Sequence, residues 1–133
     1  MAKLRFEVGA LTIGAYDPRA LAGFYSRLLG WPMGTVEEPK GNEPAHGGFA
    51  RICPPEDETA PTLNFEYERE FTSPVWPSVA GGPNATQHLD IGVDDLDAAA
   101  AWAIECGATL AGHQPQPHVR VMLDPEGHPF CLC

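Results

Sequence analysis

Residues 17–31 read Asp-Pro-Arg-Ala-Leu-Ala-Gly-Phe-Tyr-Ser-Arg-Leu-Leu-Gly-Trp, and this stretch decides the fold. Asp17 can cap the free amides at a helix start, and Pro18 suits the first turn because its missing N–H group costs nothing there. Apolar side chains then recur at helical spacing up to Gly30, which is typical of a helix end. The sequence therefore predicts an amphipathic helix from Asp17 to Leu29.

Strand-like segments surround this helix in the order β-α-β-β-β. One precedes the helix, and three follow it between turns that are rich in glycine and proline. These strands are predicted at Val8 to Ala15, Met33 to Val36, Gly48 to Cys53 and Thr62 to Glu68.

The second half of the chain repeats this order. It begins with a predicted strand from His88 to Val93, and either Asp94 or Asp95 can cap the helix that follows. That helix is rich in alanine and is predicted from Leu96 to Cys106, with three short strand candidates after it.

Individual residues match between the halves, since Ile13-Gly14 recurs as Ile91-Gly92. A four-stranded unit with one helix leaves one sheet face uncovered, so each unit is expected to pair with its twin. We therefore predict a single α+β domain of two βαβββ modules, residues 5–68 and 87–133, joined by a linker at residues 69–86. Together they are expected to form a curved mixed sheet, or partial barrel, around a small-molecule cavity.

The charge and composition exclude several classes of partner. The chain has 133 residues, of which 18 are acidic and 8 basic, and its formal net charge of −10 repels phosphate backbones and anionic lipid surfaces. It contains no apolar run long enough to span a bilayer and no signal-like start, so we expect no nucleic-acid or membrane partner and a cytoplasmic location.

The four cysteines show no metal or disulfide spacing and are expected to be reduced thiols.

The repeat, the helix segment of residues 17–31 and the ending Asp124-Pro125-Glu126-Gly127-His128-Pro129-Phe130 together resemble the vicinal oxygen chelate superfamily. These proteins are also called glyoxalase/bleomycin-resistance/dioxygenase proteins. The resemblance implies a fold shared by lyases, isomerases, dioxygenases and drug-sequestering proteins that have no metal. Fold alone does not choose among these functions.

The resemblance also implies where a metal would be held. In the metal-dependent members, His, Gln or Glu side chains on the first and last strands of each unit bind a divalent ion. The matching positions here are Ala10, about Asn64, His88 and Cys131. This set is poor in the imidazole and carboxylate ligands that such ions prefer, so no metal cofactor is expected.

Several residues are candidates for the pocket. His88 is the leading one, as a ligand contact or a general base, and Glu66 is a second acid/base candidate on the strand face of Asn64. Cys131 is either a small buried side chain or a thiol made reactive by His88, and Trp76 either fixes the linker to the core or contacts the ligand. The predicted ligand-binding set is Phe24, Phe49, Asn64, Phe65, Trp76, His88, Phe130 and Cys131.

The preferred function is metal-free binding of a small organic ligand, by sequestration of a drug or a metabolite. One alternative is a lyase, isomerase or dioxygenase whose divalent metal is held by His88 with Glu66 or Cys131. Another is a metal-free isomerase or cyclase that uses His88 as its base. Resemblance and exposed sheet edges also predict a homodimer.

Overall fold

The structure is a computed structural model that describes residues 3–133. The chain divides into two compact units, the first ending at Arg69 and the second beginning at Glu70. Each contains one helix and one four-stranded mixed sheet, which confirms the predicted α+β class and the repeated module. Within residues 3–133, no helix combines the length and the apolar character needed to cross a membrane.

The first unit follows the predicted β-α-β-β-β order. Its sheet has the strand order β1-β4-β3-β2, in which β1 and β4 are parallel and the other neighbours are antiparallel. The elements are β1 (Ala10–Ala15), α1 (Pro18–Leu29), β2 (Met33–Glu37), β3 (Phe49–Ile52) and β4 (Thr62–Tyr67).

The ends of α1 are set by the residues that predicted it. The Asp17 side chain accepts a hydrogen bond from the backbone N–H of Ala20 at 3.1 Å, so Asp17 is the cap and the helix begins at Pro18. Gly30 ends the helix with φ of 69°, a left-handed conformation that favours glycine.

The apolar side of α1 packs on the first sheet. Tyr25 is buried and stacks on Phe65 of β4, with ring centroids 5.5 Å apart and planes 19° from parallel. Ala50 and Ile52 of β3 are fully buried in the same unit. Every second residue of β3 and β4 therefore belongs to the core beneath the helix.

The second unit has the same arrangement with shorter strands. Its sheet order is β5-β8-β7-β6, with β5 and β8 parallel and the other neighbours antiparallel. The elements are β5 (Leu89–Ile91), α2 (Leu96–Cys106), β6 (Thr109–Leu110), β7 (Arg120–Leu123) and β8 (Pro129–Leu132).

Two sequence predictions for this unit are refined. Asp95, not Asp94, caps α2, because its carboxylate accepts a hydrogen bond from the N–H of Ala98 at 3.0 Å. The prediction of a strand from His88 to Val93 was too long, since the regular pairing of β5 with β8 covers only three residues and His88 lies just before it.

The segment predicted as a linker is held within the second unit. The Ser73 hydroxyl donates to the carbonyl of Glu126 at 2.8 Å, and Phe71 lies 5.4 Å from the His128 ring. Residues after Arg69 therefore make specific contacts with the last turn of the second unit.

The capping assignment yields a stability prediction. Asp95→Ala removes the acceptor for the Ala98 N–H and should lower the free energy of unfolding by about 1 kcal/mol. Asp94→Ala, which removes an exposed neighbouring carboxylate, should change it by less than about 0.5 kcal/mol. Urea unfolding followed by circular dichroism measures both, and equal effects of the two variants would contradict the assignment.

Candidate functional site

The face of the first sheet that points away from α1 carries polar side chains. Because side chains alternate along a strand, the residues between the buried Ala50, Ile52, Leu63 and Phe65 point to this opposite side. We call it the distal face of the first sheet; it presents Thr12, Phe49, Arg51, Asn64 and Glu66.

A hydrogen-bonded row crosses three strands of this distal face. Arg51 on β3 donates from Nε to Oδ1 of Asn64 on β4 at 2.8 Å, and Asn64 donates from Nδ2 to the Thr12 hydroxyl on β1 at 3.4 Å. These residues are direct partners in the strand register. Both polar ends of the Asn64 amide are thus engaged, and the residue is only 8% exposed.

An open cleft of about 350 Å³ adjoins this row in the first unit. Phe49 and Glu66, which are register partners and were both predicted as site residues, line it together. Its walls carry more carboxylates than cations. The lining residues are Glu37, Glu38, Lys40, Glu43, Gly48, Phe49, Glu66 and Tyr67.

Three predicted ligand-binding aromatics belong to the cores instead. Phe24 is 5% exposed and packs edge-on against Tyr25, while Phe65 lies beneath α1 and has no exposed surface. Phe130 is also fully buried, in the second unit. Alternation along β4 and β8 assigns Phe65 and Phe130 to packing, and Phe24 lies on the buried side of α1.

Trp76 makes a contact within the second unit. Its indole N–H donates to the carbonyl of His113 at 3.1 Å, and the two rings lie 6.0 Å apart. The side chain is partly exposed and ties the segment after Arg69 to the loop that contains His113. This contact favours the fixing role that the sequence suggested for Trp76 over a ligand contact.

The second unit brings His88 and Cys131 together with a residue that sequence reasoning missed. Nε2 of His88 lies 3.2 Å from Oδ1 of Asp90, and Asp90 is the register partner of Cys131. One ligand atom from each of the three residues lies within 4.8 Å of the others. His88 and Asp90 are exposed, and Cys131 is partly buried.

The surroundings of Cys131 oppose thiolate formation. Burial raises the pKa of its thiol above the ordinary value of 9.0, and the negative charge of Asp90 raises it further. Both effects disfavour the thiolate, so the hypothesis that His88 activates this thiol stays a prediction that the surroundings of Cys131 do not support.

The strand registers identify the equivalent residues of the two units. In the first unit, Asn64 of β4 has Thr12 and Arg51 as its register partners on the two neighbouring strands. In the second unit, Cys131 of β8 has Asp90 and Val121 in the corresponding places. The equivalence of Asn64 with Cys131 that was expected from the sequence is thus confirmed by the pairing.

The donors at the family's metal positions in the first unit do not suit a divalent ion. Ala10 has no ligand atom, and the Asn64 oxygen already accepts a hydrogen bond from the Arg51 guanidinium. A positive charge beside that oxygen repels a metal cation. Among residues 3–133, a cluster of three His, Cys, Asp or Glu donors occurs in the second unit, at His88, Asp90 and Cys131.

Arg51, Asp90 and Tyr67 were not predicted as site residues. The signal for Arg51 was present, since it lies two positions from Phe49 on one strand, and Asp90 stands two positions after His88. Spacing alone did not show that Asn64 and Cys131 are their partners across the sheet.

Two tandem units, each a four-stranded mixed sheet with one helix, define a protein with a repeated βαβββ module. The chain belongs to the Glyoxalase-like domain family, which it matches over residues 10–133. This result confirms the superfamily expected from residues 17–31 and 124–130. No curated protein matches the chain.

Solved structures share the fold at low sequence identity. A glyoxalase/bleomycin resistance protein/dioxygenase family enzyme from Burkholderia phytofirmans PsJN is 18% identical, with a TM-score of 0.63 and coverage of 96% of this chain and 97% of that one. TnmS3, an antibiotic binding protein from Streptomyces sp. CB03234, is 19% identical, with a TM-score of 0.60 and coverage of 98% and 97%. TioX from Micromonospora sp. ML1 is 18% identical, with a TM-score of 0.58 and coverage of 96% and 97%.

The pKa of Cys131 yields a reactivity prediction. Alkylation of Cys131 by iodoacetamide should be slow at pH 7.5 and should still accelerate as the pH rises past 9.0. Asp90→Asn removes the nearby negative charge and should speed alkylation roughly two- to tenfold at pH 7.5. Mass spectrometry of the modified peptide measures the rate at this cysteine alone.

Asp94→Asn provides the matched control, because it removes an exposed carboxylate of the same unit. An unchanged rate in Asp90→Asn, or equal rates in both variants, would show that Asp90 does not govern the thiol.

Proposed function

We propose that this protein binds a small organic ligand at the cleft and distal face of the first sheet, without a catalytic metal. The observation that carries the proposal is the Arg51–Asn64–Thr12 row, which occupies the place of a metal-ligand position in the first unit. A guanidinium bound to the amide oxygen makes this position suited to hydrogen bonding and unsuited to a divalent cation.

The adjoining cleft supports the proposal. A volume of about 350 Å³ falls within the range of small-molecule pockets, which lies at about 300–1,000 Å³. Phe49 and Tyr67 supply aromatic surface, and Glu66 supplies an exposed carboxylate. Aromatic surface with a few convergent polar groups is the usual lining of a site that orients a planar organic molecule.

The fold shared with TnmS3, whose description is an antibiotic binding protein, makes sequestration the preferred form of this function. At this identity the likeness concerns the fold alone, so the ligand class rests on the residues of the first sheet. Metal-free catalysis with His88 as base, a cytoplasmic location and a homodimer stay predictions.

Equilibrium dialysis against planar aromatic antibiotics and aromatic metabolites tests the proposal. At least one compound should bind, and Phe49→Ala should weaken its binding roughly tenfold by removing aromatic surface from the cleft. Phe6→Ala is the matched control, because Phe6 is 92% exposed and does not line the cleft. The absence of binding across the panel, or equal losses in both variants, would overturn the proposal.

A metal-dependent lyase, isomerase or dioxygenase is the second candidate, and the His88–Asp90–Cys131 cluster is the observation that favours it. These three residues would hold the ion, which would supply a Lewis acid to substrate oxygens. The pKa of the Cys131 thiol is raised in the absence of an ion, so binding of a metal at this cluster would have to release the thiol proton.

Elemental analysis of protein purified without chelator separates the two candidates. Metal-free binding predicts less than about 0.1 equivalent of any transition metal. A full equivalent that is lost in His88→Ala and kept in His118→Ala would establish the metal site and displace the preferred function.

A further inference from the structure

The proposed binding function leaves open which chemical group the first sheet recognises, and Arg51 bears on this question. Its side chain is partly exposed on the distal face, so a ligand can reach it. The hydrogen bond from Nε to Asn64 fixes the guanidinium along one edge. The other edge, with the terminal Nη1 and Nη2 groups, is the part that remains for a ligand.

Among residues 3–133, Arg51 differs from Arg19 and Arg120 in having no carboxylate within ion-pair distance, a feature it shares with Arg69, whose guanidinium bonds to the exposed Asn42. Arg19 is paired with Glu38 at 3.1 Å and Arg120 with Asp97 at 3.5 Å. Among residues 3–133, by contrast, the polar contact of Arg51 is with the neutral Asn64 amide. In a chain with more than twice as many acidic as basic residues, this partly buried positive charge is left without neutralisation.

The neutral amide is what preserves that charge. A carboxylate at position 64 would form a charge-assisted pair with Arg51 and cancel much of its field, whereas an amide oxygen accepts the hydrogen bond and adds no charge. Thr12 fixes the direction of the amide from the third strand. The row thus orients the guanidinium and leaves its charge for another partner.

An aromatic surface lies beside this charge. The guanidinium carbon of Arg51 is 5.7 Å from the centroid of the Phe49 ring, within cation–π range, and Phe49 lines the cleft. A ligand with a flat apolar body on Phe49 can therefore bring an attached anionic group to the Nη1 and Nη2 edge.

Nearby carboxylates limit the charge of that group. Glu66 is the register partner of Phe49 on the same distal face, and Glu37 and Glu43 also line the cleft. Arg51 can neutralise one negative charge on a ligand. Any further negative charge is repelled by these carboxylates and is not matched by Arg51. A single negative charge fits this balance better than a phosphate dianion.

We propose that Arg51, oriented by Asn64 and Thr12, recognises the carboxylate of a small aromatic acid bound against Phe49. The recognition is an end-on, bidentate hydrogen-bonded pair with the guanidinium, a geometry that an ammonium group does not reproduce. This inference rests on ligand binding at the distal face and adds the chemical class of the ligand.

Calorimetric titration with 2-naphthoate, with the uncharged 2-naphthamide and with inorganic phosphate tests the inference at pH 7.5 and physiological salt. The carboxylate should bind about tenfold more tightly than the amide of the same shape, and phosphate should not bind. Arg51→Gln should reduce the affinity for 2-naphthoate to that for 2-naphthamide, and Arg51→Lys should restore it only in part.

Two further variants keep the test decisive. Asn64→Asp changes one polar atom and should neutralise Arg51, with a loss similar to that in Arg51→Gln. Arg5→Gln removes an exposed charge from the same unit and should leave the affinity unchanged. Thermal unfolding confirms that each variant is folded.

The outcomes separate this inference from the proposed function. Equal binding of the two naphthalene probes, with no effect of Arg51→Gln or Asn64→Asp, would overturn carboxylate recognition while leaving ligand binding intact. An equal loss in Arg5→Gln would show that net charge, and not Arg51, attracts the probe. No binding of either naphthalene probe would overturn the inference, and failure of the dialysis panel as well would overturn the proposed function.

Discussion

The packing of α1 on β3 and β4 decides which side chains of the first sheet are available for chemistry. Tyr25 stacks on Phe65, and this contact holds one face of β4 in the core. A strand has a period of two residues, so Asn64 and Glu66 must then point to the other side. A shift of one residue in this register would bury the polar row and expose the aromatic core. The packing of α1 thus determines which side chains lie on the distal face.

The two units show that one scaffold can carry different chemistry at equivalent places. The core positions are apolar in both, as with Leu63 and Phe130, which are 5% and 0% exposed. The central distal position is Asn64 in one unit and Cys131 in the other, and their partners across the sheet differ accordingly. The first unit gains an oriented cation through Arg51, while the second places a carboxylate beside a protonated thiol. Core residues must preserve packing, whereas distal residues are released from that constraint.

Sequence reasoning predicted the elements well because their signals are local. Asp17, Pro18 and Gly30 act within one helix turn, so the bounds of α1 followed from them directly. The site was harder, because its contacts depend on pairing between distant strands. Arg51 and Asn64 are neighbours only once the register of β3 and β4 is known. Phe65 and Phe130 were expected in the pocket because aromatic residues suit both cores and ligands, and only the position of the helix assigns them to the core.

A metal site and an arginine site can both hold an oxygen-bearing ligand, but they need opposite charges from the protein. The metal site needs side chains that donate electron pairs to a cation, whereas the arginine is itself the cation. A divalent ion needs several negative or neutral donors that converge on it, and these donors must remain unpaired until it arrives. A guanidinium brings its own positive charge and needs only one neutral acceptor to orient it, which is the role of Asn64. An arginine beside Asn64 works against a metal ion in two ways. Its guanidinium would form an ion pair with a carboxylate that could otherwise bind the metal, and its positive charge would repel the metal cation. In the proposed function, the poor donor set of the first unit and the presence of Arg51 therefore fit together, because the guanidinium would hold the oxygen-bearing ligand where no ion is bound.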